Sequence, residues 1–267
     1  MLLALDAGNT NITIGAFEDG NLQGRWRLRT IREQTADEWG ILLRNIFSLA
    51  SLDLAAVDGM IISSVVPAVD QPLTAMSERY FQRQPLFVTA TTDIGISIRY
   101  DNPREVGADR LVNAAAAWFT YGGPAVVVDL GTTINFDCVS SDGAFCGGLI
   151  CPGIGMSISG LFARTARLPM VDFREPAQLI GTSTTGAIQA GLYYGFTGMI
   201  DGIVERVFEE LGDGAKAIAT GGQGHIIARS SRLVKIADED LTLNGLRIIW
   251  DRSRARDETV PKKISRP

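Results

Sequence analysis

The chain has 267 residues, of which 46% are hydrophobic and 21% are charged, and its formal net charge is -5. This composition supports either one large domain or two smaller ones, and the mildly acidic balance argues against nucleic acid or an anionic membrane as a partner. The three cysteines lack CxxC spacing, so neither a disulfide framework nor a zinc site is expected. No signal peptide or membrane span is predicted, and we expect a cytoplasmic protein.

The first half of the chain alternates between strand-like and helix-like segments. LLALDAG, NITIGAFEDG and NLQGRWRLRT predict three strands, since apolar and β-branched residues alternate in them and the Asp19-Gly20 turn separates the last two. TADEWGILLRNIFSLASL predicts a helix capped by Thr35 or Asp37. The strand VDGMIISSVV, the helix PAVDQPLTAMSERYFQ, the strand PLFVTA and an alanine-rich helix that ends at Gly122-Gly123 complete this half.

The opening pattern of the chain returns near its middle. PAVVVDLGTTINFDCVSSDG repeats an apolar strand, an Asp-x-Gly-x-Thr turn, a second strand and an Asp-Gly turn. One constant offset without a gap aligns three single residues and one dipeptide: Asp6 with Asp129, Gly8 with Gly131, Thr10 with Thr133, and Asp19-Gly20 with Asp142-Gly143. An internal repeat of this kind predicts a duplicated structural unit.

The second copy continues with a third strand, GAFCGGLI, and the glycine-rich CPGIGMSISG then leads into a helix. A long helical region follows with Thr182 to Thr185 as cap candidates, then a strand in AKAIATGGQG and a last helix in DLTLNGLRIIWDRSR. We expect a boundary near Gly122 to Pro124, which gives α/β domains at 1–122 and 123–251 and a basic, disordered tail at 252–267.

Two Asp-x-Gly-x-Thr turns suit the phosphates of a nucleotide. Glycine lets the backbone approach an anion, threonine adds a donor, and the aspartate requires a cation between itself and a phosphate. Gly221-Gly222 would let an adenine or a ribose lie against the backbone. Plain hairpin turns are the alternative interpretation. Together these features resemble the actin, hexokinase and Hsp70 superfamily, which implies duplicated ribonuclease-H-like (actin-like) α/β domains with ATP in the cleft between them.

The stretch NPREVGADR is a candidate for binding a second substrate. A kinase that acts on an alcohol needs a carboxylate that accepts the hydroxyl proton, and Asp109 is a candidate for this role. Arg110 could hold a substrate carboxylate through a bidentate fork. The same residues also fit a plain helix N-terminus, with Asp109 complementing the helix dipole and Arg110 in solvent. Chemistry alone leaves these two interpretations even.

Several motifs along the chain occur together in one known family. They are DAGNTN at 6–11, TADE at 35–38, Tyr100 followed by NPREVGADR at 102–110, VDLGT at 128–132, GGLICPG at 147–153, ARLP at 166–169, ATGG at 219–222 and LTLNGL at 241–246. With these motifs the chain resembles type III pantothenate kinase from about residue 1 to about residue 249. The resemblance implies ATP-dependent phosphorylation of pantothenate to 4'-phosphopantothenate, the first step of coenzyme A biosynthesis.

The resemblance also implies roles for individual residues. The first phosphate loop, which contacts ATP, comprises Asp6, Ala7, Gly8, Asn9, Thr10, Asn11, Ile12 and Thr13. Further ATP contacts are implied for Thr132, Gly221 and Gly222. The pantothenate site, with Asp109 as its general base, comprises Tyr100, Gly107, Ala108, Asp109, Arg110 and, from a second protomer, Thr184.

Cations and a partner subunit are implied as well. Mg²⁺ would accompany ATP near Asp6 through water, and Asp129 would bind a monovalent cation, potassium or ammonium. The family is a homodimer with pantothenate pockets at the subunit interface. This chain departs from the family pattern at Thr133, where alanine is usual, and at Asn135, where a hydroxyl residue is usual. The alternative is a catalytically impaired relative that acts as a regulatory or nucleotide-binding protein.

Overall fold

The computed structural model describes residues 1–165 and 168–259, with side chains described as far as residue 256. Contacts divide this part of the chain into two compact units, each built from more than one stretch of sequence. Unit 1 comprises Met1–Ile96, Asn102–Ala116 and the chain from Thr242 onward, and unit 2 comprises Ser97–Asp101 and Ala117–Leu241.

A five-stranded sheet forms the centre of unit 1, with strand order β3-β2-β1-β4-β5. Its strands are β1 (Leu2–Ala7), β2 (Asn11–Glu18), β3 (Asn21–Arg29), β4 (Gly59–Ser64) and β5 (Leu86–Phe87). β1, β2 and β3 are antiparallel neighbours, whereas β4 runs parallel to β1 and β5 runs parallel to β4. The helices of this unit are α1 (Ala36–Leu49), α2 (Pro67–Met76), the first part of α3 (Ala108–Tyr121) and α7 (Leu241–Thr259).

Unit 2 repeats this arrangement and adds one edge strand. The strand order is β11-β10-β7-β8-β9-β6. The strands are β6 (Ser97–Ile98), β7 (Ala125–Leu130), β8 (Thr133–Val139), β9 (Ala144–Pro152), β10 (Lys216–Thr220) and β11 (Ile236–Ala237), and the helices are α4 (Ile154–Ala163), α5 (Thr184–Leu211) and α6 (Gly224–Ser230). The sequence pattern does not predict β6, β11 or α6. The two strands have only two residues each, and the seven residues of α6 make only about two turns, which is too short to show a helical period.

In each unit, alternate strand residues pack one sheet face against helices. In unit 1, Leu5 and Ile62 belong to a fully buried cluster with Trp39 of α1 and Leu73 of α2. The predicted cap of α1 is confirmed at Thr35, which forms a capping box with Glu38. In unit 2, the corresponding face of β7 and β8 packs on α5, whose N-cap is Ser183. No helix among the described residues is both long enough and apolar enough to cross a membrane.

The carboxyl-terminal helix α7 covers the other face of the unit 1 sheet. A Cβ added at Gly59 would lie 2.1 Å from the Trp250 ring, and one at Gly15 would lie 3.0 Å from Leu243. These close contacts place α7 in unit 1, whereas the sequence predicted it in a domain 123–251. The boundary also lies between Ala116 and Ala117 of α3 and not near Gly122.

The predicted tail 252–267 needs a further correction. Residues 252–259 are not a disordered tail, because they continue helix α7 to Thr259. The apolar residues earlier in the helix, such as Leu246 and Ile249, are fully buried, so packing fixes the helix and the basic segment extends it. The remainder of the tail lies outside the described residues, as do residues 166 and 167 of the ARLP motif.

The strand pairing confirms the duplication and corrects its alignment. β1 and β7, and likewise β3 and β9, correspond at the predicted offset of 123 positions. In β2 and β8 the offset is 122, because Thr13 lies opposite Asp6 whereas Asn135 lies opposite Asp129. Residues 8–10 connect β1 to β2, and residues 131–132 connect β7 to β8. Thr10 therefore lies in a loop whereas Thr133 begins a strand, and the two are not structural equivalents.

Candidate active site

The first candidate phosphate loop follows a row of polar residues at the end of three strands in unit 1. Thr13, Asp6 and Ser63 lie side by side on β2, β1 and β4. The next row on the same sheet face, farther from the loop, consists of Gly15, Ala4 and Ile61. The chemistry therefore changes from apolar to polar at the carboxyl ends of β1 and β4, where open α/β sheets bind ligands.

Backbone hydrogen bonds hold the loop that follows β1. The Gly8 amide donates to the Asn11 carbonyl at 3.0 Å, and the Thr30 hydroxyl of the β3 end donates to the Gly8 carbonyl at 2.6 Å. Asn9 is exposed at the tip. Ala7 and Ile12 face the core at 1% and 0% exposure. Any contact of these two residues with ATP must therefore use their main chain.

Unit 2 carries an equivalent polar row with different side chains. Asn135, Asp129 and Thr220 lie side by side on β8, β7 and β10. The Thr133 hydroxyl donates to the Asn135 Oδ1 at 3.0 Å, and Asn135 is only 8% exposed. The two departures from the family pattern thus form a hydrogen-bonded pair beside Asp129.

Two glycines bring other segments against the second loop. A Cβ at Gly153, the last residue of GGLICPG, would lie 2.0 Å from the Thr132 carbonyl oxygen. Gly221 has a φ of +82°, and a Cβ there would lie 2.8 Å from the Asp129 Oδ1. Only glycine permits both approaches. The sequence assigned Gly221 to the ATP site but gave Gly153 no role. The signal that could have identified Gly153 was its position in the GGLICPG motif.

The VGADR segment forms the start of α3 in unit 1. The Arg110 amide donates two hydrogen bonds at this helix start. One goes to the Gly107 carbonyl at 3.2 Å, and the other goes to the Asp109 Oδ1 at 2.8 Å. Burial raises the pKa of Asp109 above its usual value, although this hydrogen bond and the Arg110 charge act in the opposite direction. Arg110 is 7% exposed and Ala108 is equally buried. Of the two interpretations that the sequence left open, the one that places Arg110 in solvent is therefore wrong.

Two predicted substrate residues belong to unit 2. The Tyr100 ring lies 6.0 Å from the Phe145 ring, and it is 38% exposed. Thr184 is the first residue of α5 and lines a shallow groove of about 720 Å³ together with Leu168, Gly181 and Ile188. The structure thus brings together residues 107–110 in one unit and places Tyr100 and Thr184 in the other.

Cations fit the donor sets of both polar rows. Carboxylate, hydroxyl and amide oxygens are the ligands that hard cations prefer. Among the residues described, no group of three or more His, Cys, Asp or Glu residues could hold a metal ion. The protein thus offers one carboxylate in each row, Asp6 and Asp129, beside hydroxyl and amide oxygens, and phosphate oxygens and water would complete the ligands of a bound cation.

Comparisons with known proteins agree with this geometry. A family profile described as type III pantothenate kinase matches residues 2–206. A type III pantothenate kinase from Solibacter usitatus is 64% identical over 253 residues, which covers 95% of this chain and 97% of that protein. A Campylobacter jejuni structure described as a Baf family transcriptional activator matches with a TM-score of 0.59 at 17% identity, covering 95% of this chain and 99% of the other. A Sinorhizobium meliloti structure described as a 2-dehydro-3-deoxygalactonokinase has a TM-score of 0.53 at 14% identity, with both chains covered completely.

The duplicated α/β fold, in which the first strand of each unit ends in a short loop, is shared with the Sinorhizobium meliloti structure. At identities below one fifth, the solved structures establish the shared fold alone. The family profile and the 64% identical relative go further. The chain belongs to the type III pantothenate kinase family.

Proposed function

We propose that the protein transfers the γ-phosphoryl group of ATP to the primary alcohol of pantothenate, giving 4'-phosphopantothenate for coenzyme A biosynthesis. The observation that carries this proposal is the Asp109 carboxylate, which lies at the start of α3 within the VGADR motif and has a raised pKa. A kinase of alcohols needs a positioned carboxylate of this kind, and family membership supplies the substrate.

The two hairpins hold the phosphates in this proposal. Unit 1 supplies the loop Asp6–Thr13, and unit 2 supplies Thr132 with Gly221 and Gly222. Exposed amides and hydroxyls donate to the phosphate oxygens, and the glycines admit the nucleotide close to the backbone. Positioning and charge neutralisation provide most of the rate enhancement, because phosphoryl transfer demands little covalent chemistry from the protein.

Asp6 would hold the cation that accompanies ATP. It is half-buried and lies between Thr13 and Ser63 on the sheet, where its carboxylate could accept hydrogen bonds from cation-bound water. Mg²⁺, when bound, would neutralise charge on the phosphates. Asp129 would hold a potassium or ammonium ion, which would offset the repulsion between its carboxylate and the nucleotide.

Asp109 accepts the proton of the pantothenate alcohol. A buried carboxylate with a raised pKa is a better base than an exposed aspartate, because its proton affinity is closer to that needed near neutral pH. Arg110 pairs with the pantothenate carboxylate through its guanidinium, and Gly107 and Ala108 contribute backbone contacts. Tyr100 packs against the body of the substrate, and Thr184 of a second protomer completes its site.

A homodimer follows from the same proposal. Unit 2 exposes large apolar side chains on β9, on α4 and in the segment before α5: Leu149, Ile150, Met156, Leu161, Met170, Leu179 and Ile180. Exposed apolar surface of this extent marks an interaction site. A second copy of the chain buries it and brings Thr184 to its partner. We further propose a cytoplasmic location for this enzyme.

The test is ATP-dependent phosphorylation of pantothenate by the purified protein in potassium, ammonium and sodium buffers, with analytical ultracentrifugation of the same sample. Dimeric protein that is active in potassium or ammonium and inactive in sodium supports both the reaction and the cation at Asp129. Equal activity in sodium refutes the monovalent cation and retains the kinase. Folded dimer without activity in any buffer refutes the proposal and favours a regulatory or nucleotide-binding relative.

A further inference from the structure

Ser63 is a buried serine whose hydroxyl has no evident structural use. It is 0% exposed, and no described residue lies within hydrogen-bonding reach of its Oγ. An unsatisfied buried hydroxyl costs about 1–3 kcal/mol of stability, and alanine would fit the same space without that cost. A group retained at such a cost calls for a partner that binds during function.

Two other serines of unit 1, Ser64 and Ser77, differ from Ser63 in that their hydroxyls have hydrogen-bond partners. Ser64 Oγ donates to the Asp70 Oδ1 at 2.5 Å and accepts from the Val66 amide at 3.2 Å. Ser77 is also 0% exposed, and its Oγ donates to the Arg83 carbonyl at 2.8 Å. Both of these hydroxyls stabilise a turn or a helix end. Ser63 does neither.

The position of Ser63 indicates the partner. In the parallel pairing of β1 and β4 it lies directly beside Asp6, so the two side chains emerge on the same sheet face. This face is apolar at the preceding row, which contains Ala4 and Ile61. The hydroxyl therefore lies next to the carboxylate proposed to face the nucleotide cation.

The second unit repeats this juxtaposition. Thr220 lies directly beside Asp129 in the parallel pairing of β7 and β10, and it is 2% exposed. Each unit thus pairs its strand-end aspartate with a buried hydroxyl on the next parallel strand. The presence of a hydroxyl at this position in both copies of the internal repeat points to a shared role beside the aspartate.

We propose that Ser63 is a positioning residue for the metal–nucleotide complex: its hydroxyl would hydrogen-bond the water that links the divalent cation of ATP to Asp6. This inference rests on the proposed function, because it presumes that Asp6 faces a metal–nucleotide complex. The hydroxyl gains its missing partner only when that complex is bound. Binding energy then offsets the cost of burying the group.

The test compares Ser63→Ala with Ser77→Ala in the full-length protein. Thermal unfolding without nucleotide measures stability, and calorimetric titration with a non-hydrolysable ATP analogue measures affinity, with Mg²⁺ and with EDTA in its place. For Ser63→Ala we expect an unchanged or higher Tm, roughly a tenfold higher Kd for the magnesium complex and no change in EDTA. For Ser77→Ala we expect a lower Tm and an unchanged Kd.

Kinetics provide an independent measurement on the same variants. In Ser63→Ala the KM for MgATP should rise about as much as the Kd, with the KM for pantothenate unchanged. An unchanged Kd in Ser63→Ala overturns the inference, as does an equal loss of affinity with and without Mg²⁺. Wild-type protein that binds the analogue but does not phosphorylate pantothenate refutes the proposed function alone, and wild-type protein that binds no nucleotide refutes both.

Discussion

The two strand-end rows have one design but differ in chemistry. The row in unit 1 surrounds its aspartate with two hydroxyl residues, Thr13 and Ser63, and the loop between β1 and β2 has three residues. In unit 2 the row replaces one hydroxyl with Asn135, and the loop between β7 and β8 has two residues. Gly221, which follows β10, approaches the unit 2 aspartate. Duplication therefore supplied two scaffolds of the same shape, and the side chains around each aspartate distinguish them.

Under the proposed function, this difference would suit two different cations. A row of small hydroxyls leaves space for a hydrated divalent ion, which holds its water tightly. A row with an amide oxygen and a close backbone offers more direct oxygen ligands to a weakly hydrated monovalent ion. The proposed base adds a further asymmetry, because Asp109 lies on α3 in unit 1.

Replacing the base should produce the largest effect. Asp109→Asn keeps the shape of the side chain and removes proton acceptance, so we expect kcat to fall by about two to four orders of magnitude. The same change should raise the Tm at neutral pH, because it removes a partly buried charge that desolvation disfavours. Steady-state kinetics and calorimetry on one preparation measure both. Activity near the wild-type value would exclude Asp109 as the base.

The pH dependence of Asp109 gives a second readout of that site. Because its folded pKa is raised, the charge destabilises the fold above that pKa, and the penalty is absent below the usual pKa of aspartate, about 3.9. The Tm advantage of Asp109→Asn should therefore shrink as the pH falls through the raised pKa. The wild-type kcat/KM should fall in the same range, because the base becomes protonated. A Tm difference that is constant with pH would contradict the assignment.

Filling the space at Gly153 should damage the second loop. A methyl group there meets the Thr132 carbonyl, so Gly153→Ala must displace either the loop or α4, at a cost of roughly 1–3 kcal/mol in stability and with weaker ATP binding. Gly155→Ala is a matched control, since nothing lies within 4 Å of a Cβ at that position. Denaturant unfolding and the KM for ATP measure the two effects. Equal behaviour of the two variants would show that the loop tolerates the approach.

A carboxylate of unit 2 should show the opposite pH dependence to Asp109. Burial acts to raise the pKa of Asp201, but hydrogen bonds from the Arg232 and Leu233 amides and the Ser231 hydroxyl outweigh it and lower the pKa. This stabilisation is present above the unfolded pKa of about 3.9 and is lost as the pH falls through the folded pKa. Asp201→Asn should cost about 2 kcal/mol at neutral pH and less in acid. Thermal unfolding at a series of pH values tests the sign.

The smallest effect should come from Thr133 and Asn135, the two residues that depart from the family pattern. Thr133→Ala removes the donor to Asn135, and loss of one neutral hydrogen bond should cost about 1 kcal/mol. A double-mutant cycle with Asn135→Ala measures their coupling in denaturant unfolding, and the potassium dependence of the rate is followed in the same variants. Additive effects would show that the two residues are independent, contrary to the structure.

Local sequence signals determined which parts of the fold could be predicted. The period of apolar residues predicted β1, β2 and β7, and the capping signal of Thr35 predicted the start of α1, because these features depend on nearby residues. The gapless alignment of the repeat concealed two differences in turn length that cancel each other. A shorter first turn in unit 2 is balanced by a longer second turn, and only the strand pairing reveals it.

Contacts between distant segments could not be predicted in this way. The burial of Arg110 and the contact of Gly153 with Thr132 depend on tertiary packing. The candidate site residues came from motifs, which identify residue types and their order. Motifs contain no information on which hydroxyls lack a hydrogen-bond partner. Ser63, the first serine of IISS, was therefore given no role by the sequence analysis.

The membership of α7 in unit 1 has a consequence for synthesis of the chain on the ribosome. Unit 2 is almost continuous in sequence, so its segments are all available before the last helix has been made. The sheet of unit 1 forms first, but one of its faces must wait for Leu243 and Trp250. The amino-terminal half is therefore completed last, and until then the apolar face that α7 covers stays exposed, which makes it prone to aggregation.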